Sequence, residues 1–506
     1  MTGSPSPSSR TSVAGAGWSC PPSGELRAFR PRRPFSWIDP RPLIVSRNDK
    51  LARASWLGGD PTNDERRAWM AGLGIDDPRI DRTDLARVSF VLAGDTGEGD
   101  LSQYVTVPLL DRLSASTDFM LIASDVIYPA GGAGNYVQNF YDVYADYGKP
   151  IYAVPGNHDW YDGLSGFMFH LCGVEAAPAM RRPSPLTRAG LRELLWHRPP
   201  QLGDATLAHL RSLRDTRPAA RQPAPYWLLD TGPLQLVGID TGITGEIDRD
   251  QATWLRRVSA ASGKPKILVT GKPLVVDGRR HPGAIEGEPE ESIDAIVRER
   301  AHNYVAAIGG DIHNYQRYPV AVEPDRTIQY LVSGGGGAFM HATHTIPRVA
   351  LDGVSEEDFR CYPLRGDSLS FYSRLYERKW PFVHDVEIDP TQAAAYMAER
   401  IGVAPTKVDA QGVVVSERTR RAAERIFPLP GQGKRGLLQA LFSEFFDWND
   451  PPLFKQVLHI EASDAELRIR CLGVTGCAGR ESGVVEDELV ATPDAGGVWE
   501  WRAIGP

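Results

Sequence analysis

From about Leu85 the sequence repeats one arrangement: a short β-rich run closes on glycine or aspartate, and a helical stretch follows. "ARVSFVLAGD", "DFMLIASD" and "KPIYAVPGNHD" are the first three such runs. "YWLLDTGPLQLVGIDT" reads as two strands around a Gly-Pro turn, and "KPKILVTGKP", "NYVAAIGGDIH" and "RTIQYLVSGGGG" complete the series. Between them lie "LSQYVTVPLLDRL", "NYVQNFYDVYADYG", "DRDQATWLRRVSAA" and "EESIDAIVRERA". The last two space their apolar residues at three- and four-residue steps, as amphipathic helices do. Asp248 stands where an N-cap belongs. Alternating strands and helices predict an α/β domain whose sheet is covered on both faces.

The rhythm spans residues 85–347, taken as the core. Upstream, residues 1–35 are rich in Ser, Pro and Gly and read as a disordered arm, and residues 36–84 as an extension packed on the core. After Pro347 the pattern breaks. Residues 348–450 read as an insertion or cap, with the aromatic stretch "SFYSRLYERKWPF", the helical run "SERTRRAAERIF" and "PLPGQGKRG". "LFKQVLHIEA" and "AELRIRCLGV" read as a hairpin over 451–473 that returns to the sheet, and residues 474–506 as a Gly-rich tail. No internal period is present.

Composition narrows the partners. The 506 residues carry a net charge of -8, with 24% charged side chains, so no global pull towards nucleic acid or an anionic membrane is expected. Arg27, Arg30, Arg32 and Arg33 form one local basic cluster, read as a solvated arm. No run of 18 apolar residues suggests a membrane span, and the N-terminus lacks the charged start and apolar stretch of a signal peptide. The five cysteines are scattered and odd in number, without a CxxC pair. That pattern argues against a disulfide framework or a cysteine zinc site, and the expected setting is cytosolic.

Polar residues gather at one kind of place, the carboxyl ends of the expected strands. They are Asp95 in "AGDTGEGD", Asp125 and Tyr128 in "ASDVIYP", Asn157 and His158 in "PGNHDW", and Asp311 and His313 in "GGDIHNYQRY". Ligands of open α/β sheets bind outside those ends, so residues far apart in sequence can meet there. Each residue alone reads more simply as a turn former, a helix cap or a structural histidine; the recurrence at strand end after strand end favours a site. Carboxylates, an amide oxygen, a phenol and imidazoles are mostly hard donors, suited to Mn, Fe, Mg or mixed pairs.

"GDTG", "SDVIY", "GNHD" and "GDIHNYQR", in that order over roughly Arg87 to Gly337, resemble the motif series of the calcineurin-like metallophosphoesterases, in the form seen in purple acid phosphatases. "GIDTGITGEIDRDQATWL" also looks like that family's strand leading into a Gln-x-x-Trp-Leu helix. The resemblance implies a β-sandwich flanked by helices (four layers, αββα) with two metal ions, divalent or mixed-valence, drawn from Fe, Mn, Mg, Ca or Zn. Asp95, Asp125, Tyr128 and His313 would hold the first ion. Asp125 would bridge to a second, held also by Asn157. The implied activity is hydrolysis of a small phosphomonoester or phosphodiester by metal-bound hydroxide, with His158 as general acid or transition-state stabiliser. The alternative is a catalytically silent phosphate-binding or interaction protein on the same scaffold.

Two departures from the motif series fall on the second ion. Gly271 in "ILVTGKP" and Asp311 in "GDIH" stand where the family carries histidines. Three readings follow: Asp311 coordinates and water or another side chain, with His281, His341 and His344 as candidates, fills the place of Gly271; the centre holds one ion tightly and a second loosely; or catalysis is lost and the fold only binds a phosphate-bearing ligand. Tyr128 as a ligand favours ferric iron, and Asp311 shifts the second position towards Mn, Mg or Ca.

Overall fold

Along the strand Val88–Gly94 the side chains alternate between two cores. Phe90 and Leu92 join one apolar cluster; Val91 and Ala93 join another on the opposite face. This is the period of two that a strand imposes, and it separates the layers of the domain. The computed structural model describes residues 20–29, 40–178, 183–198, 202–216, 221–379, 384–426, 450–479, 483–494 and 498–504.

Two mixed sheets face each other. One has seven strands in the order Trp499–Ala503, Val484–Pro493, Leu467–Val474, Lys455–Ala462, Val88–Gly94, Phe119–Ala123 and Ile151–Val154. The other has eight: Arg79–Arg82, Trp227–Thr231, Gln235–Ile239, Lys266–Thr270, Tyr304–Gly309, Arg326–Ser333, Tyr315–Glu323 and Arg360–Tyr362. Phe90, Leu121 and Val154 of the first pack with Leu236, Ile267, Val269 and Ile308 of the second. Outside the first sheet, Met120 and Ile122 meet Leu109, Leu110 and Phe140. Outside the second, Val237 and Leu268 meet Trp254, Leu255 and Val258 of the helix Arg249–Ala260. The order is helix, sheet, sheet, helix, as expected. Asp248 caps that helix, its Oδ1 accepting from the N–H groups of Asp250 and Gln251 at 3.0 Å each.

Within each sheet the strands that carry the motifs run parallel: Val88–Gly94 with Phe119–Ala123 and Ile151–Val154, and Gln235–Ile239 with Lys266–Thr270 and Tyr304–Gly309. Parallel order puts their carboxyl ends on one rim. The two rims nearly touch: a Cβ on Gly94 would lie 2.4 Å from the Ser333 carbonyl oxygen of the other sheet.

Two expectations need correction, and one gains detail. Within the Gly-rich tail, Val484–Pro493 and Trp499–Ala503 extend the seven-stranded sheet. Their apolar residues alternate only briefly among charges, which hid them in the sequence. The arm is ordered where it is described: Ser23 donates its backbone N–H to the Gly476 carbonyl at 2.8 Å and caps the short helix Gly24–Ala28. Residues 1–19 and 30–35 lie outside the described residues, as do Arg30, Arg32, Arg33 and "PLPGQGKRG". Finally, Cys20 and Cys477 form a disulfide across 457 positions. Spacing gives no hint of a pairing that only the return of the chain end makes possible. Among the described residues no helix is long and apolar enough to cross a membrane.

Candidate metal centre

Asp95, Asp125, Asn157, Lys272 and Asp311 each follow the end of a parallel strand by one to three residues. The turns that place them are unusual. Asp95, Ser124, Asp125 and Asp311 have φ of 55°, 76°, 37° and 67°, in the left-handed region. Such conformations cost energy in residues with a Cβ and collect at functional sites. Glycine supplies the closest approaches. A Cβ on Gly156 would stand 2.1 Å from Asp125 Oδ1, and one on Gly310 would stand 2.5 Å from Asp95 Oδ2.

Tyr128 lies at the middle of one group. Its hydroxyl is 3.3 Å from Asp95 Oδ1, 3.0 Å from Asp125 Oδ2 and 3.1 Å from His313 Nε2. His313 Nδ1–H donates to the Phe339 carbonyl at 2.8 Å, which turns the Nε2 lone pair inward. Three acceptors therefore surround one phenolic proton. All four side chains are buried. Burial, then the charges of Asp125 and Asp311, pushes the Asp95 carboxyl well above the usual range. Burial also holds His313 well below the ordinary histidine value, helped by His341 and Lys455. Two buried carboxyls and an inward-facing imidazole nitrogen crowded around one hydroxyl are a donor set that a cation would satisfy, so the first expected ion fits these residues. Among the described residues no three histidine, cysteine, aspartate or glutamate side chains alone are grouped around one ion position; this group depends on the phenol.

The other half of the set is arranged differently. Asp311 is ion-paired with Lys272, whose Nζ also lies 3.4 Å from Asn157 Oδ1. The Asn157 amide donates to Tyr161 Oη at 2.6 Å. Burial works to raise the Asp311 carboxyl, and Lys272, with Arg53 and His341 behind it, brings it below the usual range. Gly271 offers no ligand and has no room for one, since a Cβ there would lie 2.7 Å from the Pro155 carbonyl. The second expected ion does not fit this arrangement.

His158 sits at the mouth, partly buried. Its Nδ1–H donates to the Pro129 carbonyl at 2.8 Å and its backbone N–H to Asp125 Oδ1 at 2.8 Å. Beneath it, the Asp159 carboxylate accepts from the N–H groups of Val126, Ile127 and Gly156 at 3.0, 3.2 and 3.0 Å, tying two motif loops together. Of the further histidines, His341 belongs to the site as a support. Its ring stacks on His313 with centroids 4.3 Å apart, and its Nδ1 accepts the His313 backbone N–H at 2.9 Å. His344 turns instead to Ser368 Oγ at 2.9 Å, and His281 is exposed on a short hairpin. Tyr315 is structural: its hydroxyl donates to Asp487 at 2.8 Å. Lys272 and Asp159 escaped the sequence reading. The first stands directly after Gly271, and a lone lysine after a strand carries no motif signal.

Residues 88–315 match the calcineurin-like phosphoesterase family. Among solved structures, purple acid phosphatase PPD1 from yellow lupin (Lupinus luteus) seeds is 11% identical, with 81% of this chain and 54% of that one covered at a TM-score of 0.38. This chain thus spans about half the length of the lupin enzyme. PhoD is 10% identical over 85% of this chain and 73% of its own, at a TM-score of 0.37. GAP50, the anchor in the inner membrane complex of Plasmodium, is 11% identical over 54% and 80%, at 0.34. No curated protein matches the sequence. The match to the calcineurin-like phosphoesterase family over residues 88–315 thus covers the strands whose carboxyl ends carry the motif residues from Asp95 to His313.

Proposed function

We propose that this protein is a metal-dependent hydrolase of a small phosphate ester. The observation that carries the reading is the meeting of Asp95 Oδ1, Asp125 Oδ2 and His313 Nε2 around the Tyr128 hydroxyl. Those four side chains would hold the ion. When bound, a metal ion would screen the phosphate oxygens and make water a stronger nucleophile near neutral pH.

The chain's own residues account for the remaining work. His313 is oriented by Phe339 and His341, so its lone pair stays aimed inward. His158 is held by Pro129 through Nδ1, which leaves Nε2 as the nitrogen that can pass a proton to the departing alkoxide. Asp159 keeps the Asp125 and Asn157 loops in register.

The test is hydrolysis of nitrophenyl mono- and diesters across a panel of metals, with metal content measured on wild type and Asp125→Asn. Metal-dependent turnover lost in the variant supports the reading. No turnover with any metal would sink it and leave a phosphate-binding role. A cytosolic setting is a proposal with a condition, because the cytosol keeps thiols reduced while Cys20 and Cys477 are joined here. Counting free thiols in protein from its native source tests it.

A further inference from the structure

The side of Asp125 where two expected imidazoles are missing has a cation of its own. Lys272 Nζ reaches Asp311 and lies 3.4 Å from Asn157 Oδ1, two of the oxygens expected to hold a second ion. Its main chain is anchored as well, with the N–H donating to Thr241 Oγ1 at 3.2 Å. The side chain runs past Gly245, where a Cβ would stand 3.3 Å from Lys272 Cδ. Gly271, one residue earlier, is pressed against the Pro155 carbonyl and admits no ligand.

Resting on the metallophosphoesterase reading above, we propose that the centre takes one metal ion per chain, within the Asp95–Asp125–Tyr128–His313 group, and that the Lys272 ammonium takes the place of the second cation. An ammonium has three N–H donors. Two of them serve Asp311 and Asn157, and the third is available to a phosphate oxygen of the ester. A divalent ion entering the same place would have to pull Lys272 from its carboxylate or lie against a like charge. Asp311 is then a positioning residue: its carboxylate is ion-paired with the ammonium, a partner that a neutral imidazole in its place could not equal. The two unusual residues, Lys272 and Asp311, form one device.

The experiment counts ions independently of turnover. Protein stripped of metal and reloaded with Mn(II) is measured by elemental analysis and electron paramagnetic resonance, for wild type, Asp311→Asn and Lys272→Met. Folding of each variant is checked by circular dichroism. The expected result is one Mn per chain with the six-line signal of an isolated ion, in wild type and in Asp311→Asn alike. Lys272→Met should rise from one ion to two at excess Mn(II), with a spin-coupled signal. Two coupled ions in wild type, falling to one in Asp311→Asn, would overturn the proposal while leaving the hydrolase reading intact. So would a Lys272→Met protein that stays at one ion in excess Mn(II). Wild type that binds no metal and hydrolyses no ester overturns the underlying reading itself.

Discussion

At the Tyr128 end of the site, two carboxylate oxygens and an imidazole nitrogen share one phenolic proton. At the other end, a carboxylate and an amide oxygen share an ammonium. Both ends are assembled where the carboxyl ends of parallel strands from the two sheets meet. Among the described residues no lysine or arginine is ion-paired with Asp95 or Asp125 at the first end, whereas Lys272 is ion-paired with Asp311 at the second. Donor type alone therefore does not specify a metal position. What counts is whether the chain has supplied its own positive charge within reach.

Variants can break this contrast. The largest effect is expected for Asp125→Asn, which removes a charge from the Tyr128 end. Bound metal should be lost and ester hydrolysis should fall to background, as elemental analysis and a nitrophenyl ester assay would report. Retained metal with full turnover would show that the two ends do not differ in this way. Next comes His158→Gln, at the mouth between them. A proton donor of this type is worth roughly 10²–10⁴-fold in rate, so turnover should drop by that order with metal content unchanged. The drop should be smaller for esters whose leaving group needs no proton.

Gly271→His sharpens the Lys272 end. Restoring the missing imidazole should not restore an ion, because the new side chain presses on the Pro155 carbonyl. Overpacking of that kind costs about 1–3 kcal/mol, read as a lower Tm at an unaltered metal count. A second bound ion in this variant would show that the pocket yields.

The smallest effect concerns a histidine that belongs to neither end. Burial pushes His344 down to about 3 from an ordinary value of 6.5. The unfolded chain therefore takes up this proton first, and the stability the neutral ring contributes is complete above about pH 6.5 and lost as pH falls towards about 3. His344→Gln should move the acid unfolding midpoint to lower pH while leaving metal content alone. Loss of metal would place His344 at the centre after all.

Much of this was readable before any coordinates. The strands from Val88 to Ser333 announced themselves by β-rich runs that stop at glycine or aspartate, because a buried strand needs a continuous apolar stretch and its end needs a turn. The same turns carry the motif residues, so Asp95, Asp125, Tyr128, Asn157, Asp311 and His313 could all be named in advance. Short edge strands such as Arg360–Tyr362 and Trp499–Ala503 could not. They are held by a neighbouring strand, through pairing with Tyr315–Glu323 and Val484–Pro493, more than by their own pattern. The Cys20–Cys477 bond was hidden for a similar reason: sequence separation says nothing about where the two ends of a chain meet.

The layered fold and the candidate site residues were thus legible from local periodicity and from residue types at strand ends. How those residues divide depends on contacts made in space. Lys272 is an ordinary lysine in a list of residues, and Asp311 an ordinary acid. They become a pair because parallel strands of one sheet, Lys266–Thr270 and Tyr304–Gly309, end side by side and bring an ammonium to a carboxylate across 39 positions of chain. Charge compensation is a matter of distance in space, and no local pattern encodes it.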